Sequence, residues 1–194
     1  MSSAEQSAMN PNDEISAVLD SCVLFPMYLR DTLLRAASAG LYSPYWSQEI
    51  LNGAIRNLIG QKRMTAEKAD YLETKIKQAF PEAMVIVPER LITLMTNHPG
   101  DRHVLATAVV AKADLIVTQN IKHFPDRELE CWQVKAISAD SFLCDLYTLE
   151  PNRVIQVIQR QANGLKKPPM TVADLLNLLD REVPEFVEKV ASAF

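Results

Sequence analysis

Three carboxylates in this chain stand where an acid needs a reason. Asp101 heads the run 100–120, GDRHVLATAVVAKADLIVTQN, with Val104, Leu105 and Ala108 three, four and seven residues on. On a helix that spacing puts the acid on the same face as residues that should be buried. Asp20 ends a short apolar run over 15–20, and Glu49 falls in the first turn of an amphipathic stretch opening at Ser47. Asn120 closes another apolar run and could join them. All-oxygen groups of this kind suit Mg²⁺ or Mn²⁺, hard cations that keep several waters and bind through a few carboxylates. A divalent ion also explains how acids could crowd together, since without it their repulsion would raise the pKa of at least one.

The elements that must position these groups alternate between strand and helix. The helix headed by Asp101 closes at Lys112-Ala113, and 114–118 reads as a buried parallel strand. Strand end and helix start then share the carboxyl edge of a sheet, where open α/β folds bind ligands. Asp101 and Asn120 reach that edge; Asp114, at the strand's other end, does not. Residues 15–20 form a first strand carrying Asp20 at its carboxyl end. A helix follows to about Ala39, with Pro26 suited to its opening and Gly40 to its close.

A brief second strand is expected over 41–43, before Pro44. From Ser47 to about Gly60, Ile50, Leu51, Ala54, Ile55, Leu58 and Ile59 mark a helix capped by Ser47. Glu49 lies opposite the centre of that stripe, so it reaches the edge only by standing at the helix's start. A helix over 65–80 broken by Pro81, a third strand over 83–87 and a helical turn or two across 89–97 come next. A last strand over 135–138 and a helix over 141–149 capped by Asp140 complete a parallel sheet covered on both faces.

With 194 residues, 48% of them hydrophobic, the chain can bury one substantial core plus a small appendage. The first dozen residues are polar and lack the pattern of a signal peptide, and no run reaches the length of a membrane span. A soluble, cytoplasmic protein is expected. Cys22, Cys131 and Cys144 have no ligand-type spacing, which points to buried small hydrophobes in a reducing compartment. The net charge of −4 works against a polyanionic ligand unless a metal or a local basic patch intervenes.

Composition changes after Pro151: Val154, Ile155, Val157 and Ile158 mark one helix, Lys166-Lys167-Pro168-Pro169 a basic linker, 171–181 a second helix capped by Thr171, and 185–194 a third. The expected organisation is a flexible segment over 1–14, an α/β domain over 15–149 and an all-helical C-terminal appendage over 150–194. Arg153, Arg160, Lys166 and Lys167 make the appendage's start basic, read as a solvated face before a nucleic-acid patch. His98 and His103 flank Asp101 but read as cap or surface residues, and Trp46 and Trp132 as core or interface aromatics. No Gly-rich phosphate loop is present, and Cys22 stands where an aspartyl phosphotransferase wants a second acid.

Val18-Leu19-Asp20-Ser21-Cys22-Val23-Leu24, Leu29-Arg30-Asp31, Ser47-Gln48-Glu49-Ile50, Pro99-Gly100-Asp101-Arg102-His103-Val104-Leu105-Ala106 and Val117-Thr118-Gln119-Asn120 followed by Phe124-Pro125 resemble the ordered landmarks of PIN-domain ribonucleases. The match is closest to the VapC-type toxin branch, and it continues through Arg160-Gln161 and Pro168-Pro169-Met170-Thr171. The resemblance implies a PIN-like, flavodoxin-like α/β/α sandwich and Mg²⁺- or Mn²⁺-dependent hydrolysis of RNA phosphodiester bonds. It puts Asp20, Glu49 and Asp101 on the acidic metal-binding quartet, with Asn120 at a fourth position that is often Asp. Thr118 matches the hydroxyl residue near that position and Ser21 the one after the first Asp, both as metal-shell or substrate-orienting groups. Cys22 replaces a common Asn or Ser, and Gly100 an expected acid. Arg30, Arg56 and His123 are candidate RNA contacts. A cognate antitoxin and a homodimer are further implications, as the toxin of a type II toxin–antitoxin pair. The rival expectation, motivated by Asn120 and the negative charge, is a non-catalytic PIN-fold RNA-binding or scaffolding protein.

Overall fold

Five short strands, β1 (Ser16–Leu19), β2 (Ser43–Ser47), β3 (Met84–Val85), β4 (Leu115–Val117) and β5 (Lys135–Ile137), pair in the order β3-β2-β1-β4-β5, every pair parallel. The structure, a computed structural model, describes residues 15–166 and 168–194; the segment expected over 1–14 and Lys167 of the basic linker lie outside them. From β1 the chain first builds outward to β2 and β3, then returns to lay β4 on the other side of β1. The crevice above the β1/β4 pair is therefore the topological switch point, the place where such sheets bind ligands. Leu19 is in register with Val117, so Asp20 and Thr118 leave the sheet side by side.

The helices are α1 (Ser21–Leu24), α2 (Met27–Ser38), α3 (Gln48–Gly60), α4 (Ala66–Ala79), α5 (Glu89–Leu94), α6 (Arg102–Ala111), α7 (Asp126–Leu129) and α8 (Ala139–Leu149), followed by α9 (Pro151–Gly164), α10 (Val172–Leu179) and α11 (Pro184–Ala191). Ser47 and Thr65 cap α3 and α4 by accepting from Ile50 and Lys68 N–H groups, and Thr171 with Asp174 makes a capping box on α10. Gly40, at φ +69°, closes α2 in the left-handed region, where a side chain would cost energy. None of the helices among the described residues is long and apolar enough to cross a membrane.

Several expectations need correction. β2 runs through Pro44 instead of stopping before it. Ser43 N–H donates to the O of Ile15, the residue just before β1, so the nitrogen of Pro44 faces the opposite side, where β3 pairs only from Trp46 onward. The missing N–H thus leaves no ladder bond unmade. β3 is two residues long, and the helix after Asp20 breaks at Phe25-Pro26 into α1 and α2, with Pro26 preceding the second. Ser138, not Asp140, caps α8; Asp140 instead accepts from the N–H groups of Glu185 and Phe186 and so caps α11.

The core is one continuous cluster. Ala17, Val18 and Leu19 of β1, Ile116 and Val117 of β4 and Trp46 of β2 are wholly buried in it, and so are Leu175, Leu179, Phe186 and Val190 of the C-terminal helices. Trp46 packs edge-on to Phe80, which bears out its reading as a core aromatic. A buried polar clasp joins α9 to α2: Thr32 donates to Gln161 Oε1 at 2.8 Å, and Gln161 donates to Tyr28 O at 3.0 Å.

Candidate active site

Asp20 is 1% exposed, and its side chain makes no ion pair among the described residues. A carboxylate taken out of water needs compensation. Here it comes from three neutral donors: the Thr118 hydroxyl at 2.7 Å and the Cys22 thiol at 3.1 Å, both to Oδ2, and the Ser21 hydroxyl at 3.3 Å to Oδ1. The backbone secures the arrangement, since Asp20 N–H donates across the sheet to Val117 O. Cys22 Sγ in turn accepts from Gln119 N–H, and Thr118 Oγ1 from Asn120 N–H at 3.0 Å. The thiol is pushed up to about 12, first by burial and then by the Asp20 charge, so it stays protonated and keeps donating. Only Cys144 of the three cysteines is buried; Cys22 is part of this network and Cys131 is exposed, against the expectation for both.

The chain of contacts continues to the second acid. Asn120 O accepts from His123 N–H at 2.8 Å, and His123 Nδ1 meets Asp101 Oδ2 at 2.6 Å. Asp101 stands in the short turn before α6, which packs against β1, β2 and β4, and its φ of −121° is that of a turn residue, outside the helix proper. His98 caps that turn, accepting from Gly100 N–H through Nδ1, as expected of it. The rings of His98 and His123 stack at 4.0 Å.

Glu49 is exposed and lies in the first turn of α3, at the sheet's carboxyl edge. One turn further along the same face is Gly53, where an added Cβ would lie 3.1 Å from Ser21 Cβ. That close approach seats the face of α3 carrying Glu49 against the residue next to Asp20. Thus β1, α3, α6 and the segment after β4 bring Asp20, Ser21, Glu49, Asp101, Thr118 and Asn120 to one edge. Neither Glu49 nor the Asn120 side chain has a hydrogen bond or ion pair among the described residues. Oxygen donors at one sheet edge are the chemistry of a hard divalent ion, and the residue types fit Mg²⁺ or Mn²⁺; among the described residues, the acids and histidines that already lie close enough to share an ion are His98, Asp101 and His123.

Of the expected RNA contacts, Arg30 is corrected: it is 5% exposed and donates to Leu24 O at 2.7 Å and Phe25 O at 3.2 Å, closing the end of α1. Arg56 is exposed, and His123 is committed through one ring nitrogen to Asp101. That ring and Cys22 are the residues whose place sequence reasoning missed; their partners are distant in the chain and leave no local pattern.

A family described as "PIN domain" matches residues 16–122, and one described as "VapC50 C-terminal domain" matches residues 139–192, from the start of α8. The chain is similar to "Putative ribonuclease VapC50" of Mycobacterium tuberculosis (strain ATCC 25618 / H37Rv), 43% identical over 104 residues. Those residues are 54% of this chain and span 62% of that relative's length. No solved structure matches.

Proposed function

Because the chain belongs to the PIN-domain family, we propose that it is a divalent-metal-dependent endoribonuclease, the toxin of a type II toxin–antitoxin pair. The observation that carries this reading is the buried, cation-free Asp20 at the switch point, joined through Thr118, Asn120 and His123 to Asp101. Asp20, Glu49 and Asp101, with the amide oxygen of Asn120, would hold Mg²⁺ or Mn²⁺. Such an ion polarises a phosphate, lowers the pKa of a coordinated water and steadies the leaving oxygen.

The chain's own residues do the positioning. Thr118 and Cys22 fix Asp20 through Oδ2, leaving Oδ1 with one long contact from Ser21. His123 likewise fixes Asp101 through Oδ2. Thr118, Cys22 and Ser21 serve as donors that hold Asp20, and the Cys22 thiol, pushed up to about 12, carries no thiolate to attack with. Water is therefore the attacking group, and no covalent protein–RNA intermediate forms. The exposed Arg56 is the remaining basic candidate for phosphate contact. A cognate antitoxin covering the acidic edge, a homodimeric state and a cytoplasmic location complete the reading. Asn120, bringing no charge, favours the second reading of a PIN-fold RNA-binding scaffold.

The test is cleavage of total cellular RNA by wild type and Asp20→Asn, each with Mg²⁺, with Mn²⁺ and with excess chelator. Metal-dependent cuts by wild type alone are expected, with at least about a hundredfold loss in the variant, the scale of removing one main electrostatic group from an active site. Cleavage undiminished in chelator would overturn the proposal, and RNA retained but uncut under all conditions would favour the scaffold.

A further inference from the structure

We propose that His98, Asp101 and His123 form a second cation site, for a borderline transition ion of the Zn²⁺ class, and that filling it weakens the hold on the oxygen-ligated ion through the shared Asp101 carboxylate. The inhibitory consequence rests on the reading of Asp101 given above; the binding itself does not. One ligand atom from each residue lies within 4.8 Å of the others. Two imidazole nitrogens and a carboxylate are a set that Zn²⁺ accepts, with water as a fourth ligand, whereas Mg²⁺ and Mn²⁺ prefer oxygen. The hard-oxygen edge and this nitrogen-rich corner are thus chemically distinct sites meeting at one side chain.

The corner is built for a ligand in three respects. First, Gly100 N–H donates to His98 Nδ1 at 3.2 Å, and a backbone N–H can only donate. His98 therefore carries its proton on Nε2, and its Nδ1 is an unprotonated nitrogen whose single in-plane lone pair is held by Gly100 N–H until an ion takes it over. Second, the spacing is close to what an ion needs. Bonds of about 2.1 Å in a tetrahedron set ligand atoms roughly 3.3–3.5 Å apart. His98 Nδ1 and Asp101 Oδ2 are already 3.4 Å apart, and the His123–Asp101 contact must open from 2.6 Å. Third, the two loops are pinned together independently of the side chains, by His98 N–H and Asn97 Nδ2 donating to His123 O.

Three adjustments accompany binding. Gly100 N–H gives up its bond to His98 Nδ1 and turns to solvent. The stacked rings, 12° from parallel, splay so that each nitrogen points at the ion in its own ring plane; the His98 side chain, 50% exposed, has room to swing. The proton between His123 Nδ1 and Asp101 leaves that nitrogen, either to solvent or by a change of tautomer. No bond to carbon is made or broken and no electron moves.

The experiment is calorimetric titration of the full chain with Zn²⁺ and, separately, with Mn²⁺, in wild type, Asp20→Asn, His98→Asn and His123→Asn. Asn at position 98 can still accept from Gly100 N–H, so the turn is kept while the imidazole is lost. One Zn²⁺ per chain is expected in wild type and in Asp20→Asn, weakened at least tenfold in His98→Asn and His123→Asn. Mn²⁺ binding is expected to survive His98→Asn and to weaken at least tenfold once wild type is loaded with Zn²⁺. Equal Zn²⁺ affinity in wild type and His98→Asn would overturn the site. So would loss of Zn²⁺ binding in Asp20→Asn, because the ion would then sit among the oxygen ligands. Unchanged Mn²⁺ affinity after Zn²⁺ loading would overturn the coupling. By contrast, Mn²⁺ binding indifferent to Asp20→Asn contradicts the proposed function and leaves the Zn²⁺ result standing.

Discussion

A buried acid needs polar partners, and among the described residues Asp20 forms no ion pair. Its side-chain partners are Thr118, Cys22 and Ser21, each donating to it. For Cys22 the sign is unambiguous: burial and the Asp20 charge both raise its pKa, so the neutral thiol persists throughout the physiological range and beyond. Thiolates, not thiols, are alkylated. Iodoacetamide at pH 8 should therefore modify the exposed Cys131 in the native protein and spare Cys22, as read by peptide mass spectrometry. Cys22 reacting as fast as Cys131 would contradict the network. At this scale the sequence reveals ligand types but not their holders. Asp20, Glu49 and Asp101 stand out because an acid ending an apolar run, or heading a helix, calls for a reason. The pairings Cys22 with Thr118, 96 residues apart, and His123 with Asp101, 22 apart, exist only once the sheet has formed.

Where two helices cross, the smallest side chain can decide whether a site assembles. Gly53 lets α3 lie against Ser21, with Glu49 one turn nearer the carboxyl edge. Ala at this position gains about 1 kcal/mol of helix propensity. Its Cβ, however, would lie 3.1 Å from Ser21 Cβ, an atom fixed to the backbone of α1 and unable to rotate away. The helix must back off by a few tenths of an ångström. Gly53→Ala should keep a cooperative melt close to wild type yet weaken Mn²⁺ binding severalfold, measured by thermal denaturation beside calorimetry. Unaltered Mn²⁺ affinity would show that the spacing of α3 from α1 does not position Glu49. Element ends with local chemistry were readable in advance: Ser47 and Thr171 cap helices because a hydroxyl reaches an N–H three residues on. Those whose logic is tertiary were not. Pro44 fits within β2 only because β3 is short, and Asp140 turns from its own helix to cap α11, which packs on α8.

The helices after Pro151 are not an independent body laid beside the sheet; α9 packs on α2 and α8, and α11 on α8. Ending the chain at residue 149 would strip α8 and α2 of the helices that pack on them, and buried side chains on those faces would meet water. Uncovering a large apolar side chain costs about 1.5–3 kcal/mol each, against a total stability of roughly 5–15 kcal/mol for a typical domain. The shortened chain should lose its cooperative thermal transition and self-associate in size-exclusion chromatography; a monomer melting like wild type would contradict the shared core. The same long-range assembly underlies the site, whose acids are supplied by the ends of β1, α3 and α6 and are held together by the whole sheet. Calorimetric titration of the full chain with Mn²⁺ tests that convergence most directly, comparing wild type with Asp20→Asn, Glu49→Gln and Asp101→Asn. The account predicts saturable binding in wild type, weakened at least tenfold by each single change. Binding in Glu49→Gln or Asp101→Asn as tight as in wild type would contradict a shared ion.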